Sequence, residues 1–144
     1  MPSQTPACLI VDDEPDTCWA LEHVLQKQGL ASRCALRGAQ ALREIRQGGY
    51  AVALLDAKLP DMDGLELARR IRAIEPGVRI IVVSGYFYCD DAAIREAEAS
   101  GLIQGFIGKP FLHAEIVRAV QGALADGPVH SRISGKRSLE SNPY

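Results

Sequence analysis

Five short apolar runs alternate along this chain with stretches whose apolar residues recur at helical spacing. The first, Ala7-Cys8-Leu9-Ile10-Val11, ends in acids; the third, Ala51-Val52-Ala53-Leu54-Leu55, ends at Asp56; the fourth, Arg79-Ile80-Ile81-Val82-Val83, ends at Ser84. Near-continuous apolar runs of this length predict strands buried on both faces, as in a parallel sheet. Weaker patterns place a second strand over roughly 31–36 and a fifth over about 105–107. Between them lie helices. Ala20, Leu21, Val24 and Leu25 mark one face after Pro15, and a second helix runs from Ala39 to Arg46 before Gly48-Gly49. Asp63 is the expected N-cap of a third helix carrying Leu65, Leu67, Ala68, Ile71 and Ile74, stopped at Pro76-Gly77. A fourth spans Asp90 to Ser100, and a fifth, about Leu112 to Leu124, carries Ile116, Val117, Val120 and Leu124. Strict β-α alternation of this kind predicts a parallel sheet covered by helices on both faces.

The 144-residue length suits one domain with a real core, and no internal repeat is visible. The expected organisation is an N-terminal extension over 1–6, a folded domain over 7–125 and a flexible tail over 126–144, polar and basic with Arg132, Lys136 and Arg137. A net charge of −2 argues against a general nucleic-acid or anionic-membrane binder. No apolar run approaches the roughly 20 residues of a membrane span, and the start shows no signal peptide, so a cytoplasmic protein is expected. Cys8, Cys18, Cys34 and Cys89 are scattered without metal-site or disulfide-framework spacing. They read as reduced core residues, with incidental oxidation between Cys8 and Cys34 allowed by adjacent strands.

In an open α/β sheet, ligands bind outside the carboxyl ends of the strands. Those ends carry Asp12 and Asp13, Asp56, Ser84 and Lys109. Taken singly, each has a plain structural explanation as a turn former, an N-cap or a surface residue. Together, at the same end of successive strands, they describe a site. Clustered carboxylates stay ionised only around a cation, and hard oxygen donors favour Mg2+ or Mn2+. A cation, a lysine and a hydroxyl around a carboxylate nucleophile suit phosphoryl transfer.

From Ala7 to Leu124 the chain resembles the receiver domain of two-component response regulators. The matching stretches are Val11-Asp12-Asp13-Glu14, Leu54-Leu55-Asp56 with Lys58-Leu59-Pro60-Asp61-Met62-Asp63-Gly64, Val83-Ser84-Gly85 and Lys109-Pro110-Phe111. The resemblance implies a flavodoxin-like α/β fold, a five-stranded parallel sheet of order 2-1-3-4-5 with five flanking helices. It implies that Asp56 accepts a phosphoryl group from a phosphohistidine on a sensor histidine kinase or histidine phosphotransfer protein. Asp13, Asp56 and the Lys58 backbone carbonyl would hold Mg2+ (or Mn2+), with Asp12 acting through water. Lys109, Ser84 and the backbone at Ala57 and Gly85 would receive the phosphoryl oxygens, and Phe106 stands at the switch-aromatic position. It also implies a cis Lys109–Pro110 peptide.

Three side chains extend this reading. Lys58 and Tyr86 flank the route of an attacking water and are expected to shield the phosphoaspartate. Trp19 lies opposite the first helix's apolar stripe; it reads as a surface aromatic, with a docking anchor for the phosphodonor as the sharper alternative. His23, His113 and His130 form no ligand set with the acids. Output is expected by protein contact on the face of the fourth helix, fifth strand and fifth helix, or by phosphorelay, from a monomer or weak homodimer without direct nucleic-acid or membrane binding. Three alternatives remain: the N-terminal receiver of a larger regulator, a phosphorylation-independent interaction module, and an aspartyl phosphohydrolase. The last would place an acid where Lys58 stands. The protein is therefore read as a switch that catalyses only its own phosphorylation and dephosphorylation.

Overall fold

The computed structural model describes residues 7–85 and 92–125. Strands β1 (Ala7–Val11), β2 (Ala31–Ala35), β3 (Tyr50–Leu55), β4 (Arg79–Ser84) and β5 (Gly105–Gly108) alternate with helices α1 (Pro15–Lys27), α2 (Gly38–Gln47), α3 (Gly64–Ile74), α4 (Ala92–Ala99) and α5 (His113–Ala125). The strands form one parallel sheet of order β2-β1-β3-β4-β5, the predicted flavodoxin-like architecture. All β4 residues are buried, whereas β2, at the sheet edge, is only partly covered. This difference explains the clarity of one apolar run and the weakness of the other.

Alternate strand residues feed two cores. On one face Leu9, Val11, Ala53, Leu55, Ile80 and Val82 pack beneath α2, α3 and α4; on the other, Ile10, Leu54, Ile81 and Val83 meet Leu21, Val24 and Leu25 of α1 and Ile116 and Val120 of α5. As predicted, Asp63 caps α3, its carboxylate accepting from Leu65 N–H at 2.7 Å. Gly48 and Gly49, at φ +84° and +96°, turn the chain out of α2 into β3 by a conformation that side chains resist.

Two arginines serve as internal fasteners, Arg79 at the start of the fourth apolar run and Arg72, which the sequence pattern did not single out. The Arg72 guanidinium donates to the Pro76 and Leu102 carbonyls, each at 2.7 Å, and to that of Val78. It thus joins the end of α3 to the start of β4 and to the α4–β5 loop. Arg79 is 2% exposed and its Nε donates to the Ala123 carbonyl of α5 at 3.3 Å.

The expectation that the described cysteines are all reduced is overturned at two of them: Cys18 and Cys34 form a disulfide, with Cα atoms 6.1 Å apart. The β1-α1-β2 crossover lays the first turn of α1 against the edge strand, a proximity that their spacing of 16 residues does not reveal. Cys8 remains a free thiol, 1% exposed and opposite Ser32 in the ladder, and burial pushes its pKa up to about 12. The expected extension over 1–6, the flexible tail over 126–144 with His130, the start of the fourth helix at Asp90, Cys89 and the shielding residue Tyr86 lie outside the described residues.

Candidate functional site

Strand register assembles the site. Val11 lies level with Leu55, and Asp56 N–H donates to the Val11 carbonyl at 2.9 Å, so Asp12 and Asp56 leave the sheet side by side. Leu55 pairs with Val82, Ser84 with Gly108, and Lys109 N–H donates to the Ser84 carbonyl at 2.8 Å. Ser84 and Lys109 therefore emerge at the same edge as the acids.

Carboxylate oxygens of Asp12, Asp13 and Asp56 lie within 4.8 Å of one another; Asp12 and Asp56 are buried, Asp13 is exposed. Lys109 Nζ sits 2.7 Å from Asp12 Oδ2, 3.9 Å from Asp56 Oδ2 and 4.0 Å from Glu14 Oε1. The other Asp12 oxygen accepts from Glu14 N–H at 2.9 Å, turning the chain into α1. Asp13, Glu14, Asp56, Lys58, Gly85 and Lys109 border an open cleft of about 350 Å3.

Charge compensation in this cluster is incomplete. Burial pushes the Asp56 pKa above its ordinary value; Lys109 and the N–H groups of Lys58 and Ala57 pull it down, while Asp12 pushes it up again. Burial works against the Lys109 charge, yet the hydrogen bond and field of Asp12, with Asp56 and Glu14 beyond, raise its pKa above the ordinary lysine value. The uncompensated negative charge and the hard oxygen donors fit a small divalent cation such as Mg2+ or Mn2+. The Asp12, Asp13 and Asp56 carboxylates are close enough together to hold such an ion, and Asp12 is also bonded to Lys109.

Every described residue expected at the site lies at or next to the cleft, with two exceptions. Phe106 is half-buried against the α2-α3-α4 core, level with Val82 on β4. Trp19 is 61% exposed on α1, its ring 4.0 Å from that of His23. Ser84 is fully buried one residue before the cleft-lining Gly85. The Lys109–Pro110 peptide is cis, as the resemblance implies. Sequence reasoning missed Asp61, whose carboxylate accepts from the Gly38 and Ala39 N–H groups at 2.8 and 3.0 Å and so caps α2 from the β3–α3 loop. Its place in the Pro60-Asp61-Met62-Asp63-Gly64 stretch was the only signal, and it pointed no further than a turn.

A doubly wound sheet with three acids, a hydroxyl and a lysine at its carboxyl edge defines a receiver-like α/β module. The family profile for the response regulator receiver domain matches residues 8–121, and the chain belongs to that family. It is 35% identical to sporulation initiation phosphotransferase F of Bacillus subtilis, over 78% of this chain and 89% of that protein. It is 30% identical to the transcriptional regulatory protein PrrA of Mycobacterium leprae, over 93% of this chain but only 62% of that protein. It spans about a quarter of the ZraR regulators it also matches. Among solved structures, the response regulator TrrA of Thermotoga maritima, in complex with Mg2+ and BeF, superposes with a TM-score of 0.72 at 29% identity, covering 83% of this chain and 99% of that one.

Proposed function

We propose that this chain is a phosphoryl-accepting switch in which Asp56 takes its phosphoryl group from a phosphohistidine on a sensor histidine kinase or histidine phosphotransfer protein. One observation carries the reading: the strand register gathers oxygens of Asp12, Asp13 and Asp56 within 4.8 Å while Lys109 Nζ stands 3.9 Å from the Asp56 carboxylate. An Asp56 oxygen attacks phosphorus, the P–N bond breaks, and the imidazole leaves with the bonding electrons. Lys109 balances the charge of the incoming group, and the N–H groups of Ala57 and Gly85 and the Ser84 hydroxyl receive its oxygens. Asp13, Asp56 and the Lys58 carbonyl would hold Mg2+ or Mn2+, which would supply the remaining positive charge.

Phosphate then biases two states of the fold, with Ser84 and Phe106 as the moving parts and the α4-β5-α5 face as the output surface for a protein target. The protein acts on itself alone, in the cytoplasm, as a monomer or weak homodimer without nucleic-acid or membrane contact. No helix among the described residues is long and apolar enough to cross a membrane. The exposed Trp19 is a docking anchor for the phosphodonor, and the exposed Lys58 is a shield of the phosphoaspartate. The test is Mg2+-dependent labelling by a small phosphodonor, read by intact mass, in the wild type and in Asp56→Asn. One phosphoryl adduct, absent from the variant, is expected; an adduct that survives the substitution rules the reading out.

A further inference from the structure

The disulfide stands in an unexpected place for a switch proposed to work in the cytoplasm. Cys18 is 3% exposed on the inner face of α1, and its Sγ lies 3.5 Å from the backbone carbonyl oxygen of Asp12. Its partner Cys34 is only partly buried, on β2 at the open edge of the sheet. The bond therefore links the acid-bearing β1–α1 turn to the surface. Disulfides in reducing compartments are mostly transient and sensing, whereas permanent structural bridges belong to oxidising ones.

We propose that Cys18 and Cys34 form a reversible thiol–disulfide site that sets the cation affinity of the Asp12-Asp13-Asp56 pocket. This inference rests on the reading of that pocket as the Mg2+-dependent phosphoacceptor site. The co-reactant is a low-molecular-weight disulfide. The more exposed Cys34 thiolate attacks it, forming a mixed disulfide and releasing one small thiolate. The Cys18 sulfur then attacks Cys34 Sγ and expels the second, so two protein thiols become one disulfide and one small disulfide becomes two thiols. The buried Cys8 thiol, held protonated by burial, takes no part.

The two states differ at the acids through one sulfur. As a thiol, Cys18 has an S–H to offer the Asp12 carbonyl, which lies 3.5 Å from its sulfur in the disulfide form. As a disulfide it has no proton to donate, and the first turn of α1 is tied to β2 instead. Asp13 and Glu14 lie on the short link between β1 and α1, so tying the helix narrows the positions open to the Asp13 carboxylate. A pre-arranged carboxylate set loses less freedom when it closes on a cation. The oxidised protein is therefore the tighter Mg2+ binder and the faster phosphoacceptor.

The full chain, poised in buffers of defined small-thiol to small-disulfide ratio, tests this without requiring a variant. Alkylation and intact mass count free thiols, while Mg2+ titration is followed by the fluorescence of the single tryptophan, Trp19, next to Cys18. The expected result is reversible loss of two thiols, with Mg2+ bound about threefold or more tighter in the oxidised state. Cys34→Ser should abolish the difference, and Cys8→Ala should retain it. A pair that does not cycle, or affinities in the two states closer than about threefold, overturns the proposal. Absence of Asp56 labelling in both states would instead defeat the phosphoacceptor reading, and the Mg2+ titration would still decide this one.

Discussion

The Lys109 ammonium lies 2.7 Å from Asp12 and 3.9 Å from Asp56. In this arrangement the lysine assigned to the phosphoryl group is held by the neighbouring acid. Asp12 thus does two jobs: one oxygen anchors the lysine and the other accepts the Glu14 N–H. A phosphoryl group on Asp56 would compete with Asp12 for Lys109, which couples the site's charge state to the position of a single side chain.

Removal of this lysine should expose how much the acids repel one another. With Lys109→Met, the nearly buried Asp12 and Asp56 lose their nearest cation, and breaking a buried pair in this way costs about 3 kcal/mol. The expected outcome at neutral pH is a lower urea midpoint, partly restored by millimolar Mg2+. Since the folded-state pKa of Lys109 is raised, its contribution is fully present below the ordinary lysine value of 10.5 and disappears as pH rises through the folded value. A midpoint equal to that of the wild type near pH 7 without Mg2+ would contradict the pairing.

Much of this was legible in the chain, and the reasons are physical. Strands β1, β3 and β4 are covered on both faces, so burial wrote itself into uninterrupted apolar runs, and their ends delivered Asp12, Asp56 and Ser84. The Cys18–Cys34 bond was illegible because it depends on how α1 crosses the edge strand, a tertiary relation with no period. Arg72 and Asp61 were missed for a related reason: each uses a polar side chain to satisfy backbone groups of a distant segment. Polar residues in loops and at helix ends look alike in sequence whether they meet water or a buried carbonyl.

Two acids close to the site should answer pH in opposite directions. Burial works against the charge of Asp61, but the N–H groups of Ala39 and Gly38 outweigh it and hold its pKa below the ordinary 3.8. Its stabilisation is therefore present above 3.8 and is lost as pH falls through the depressed folded value. Asp56, pushed up chiefly by burial, binds its proton more tightly when folded, so its contribution declines as pH rises above 3.8 through its raised value. Urea titrations near pH 7 should show Asp61→Ala less stable than wild type by about 0.5–1 kcal/mol, the range for an exposed helix cap. The same titrations should show Asp56→Asn more stable than wild type. The Asp56→Asn gap should close as pH falls toward 3.8, whereas the Asp61→Ala gap should close only as pH falls below it. A Mg2+-free Asp56→Asn protein no more stable than wild type at pH 7 would remove the charge-repulsion account.

Gly64 offers the most direct mechanical test of the loop that follows Asp56. Its N–H donates to the Ala57 carbonyl at 2.7 Å, closing the β3–α3 loop just after Asp56. A Cβ added at Gly64 would collide with the Asp56 carbonyl oxygen and come within 2.9 Å of Ala57 Cα. Both obstacles are backbone, so no side-chain rotation relieves them, and Asp56, Ala57 or the first turn of α3 must move. Overpacking of this kind costs about 1–3 kcal/mol. Gly64→Ala should therefore lower the urea midpoint by that amount and weaken Mg2+ binding, because the displaced segment carries Asp56 and leads to the Lys58 carbonyl. Gly77→Ala is the matched control, since nothing lies within 4 Å of a Cβ added there. If Gly64→Ala keeps both wild-type stability and wild-type Mg2+ affinity, the close approach of α3 to Asp56 is not what holds the acceptor in place.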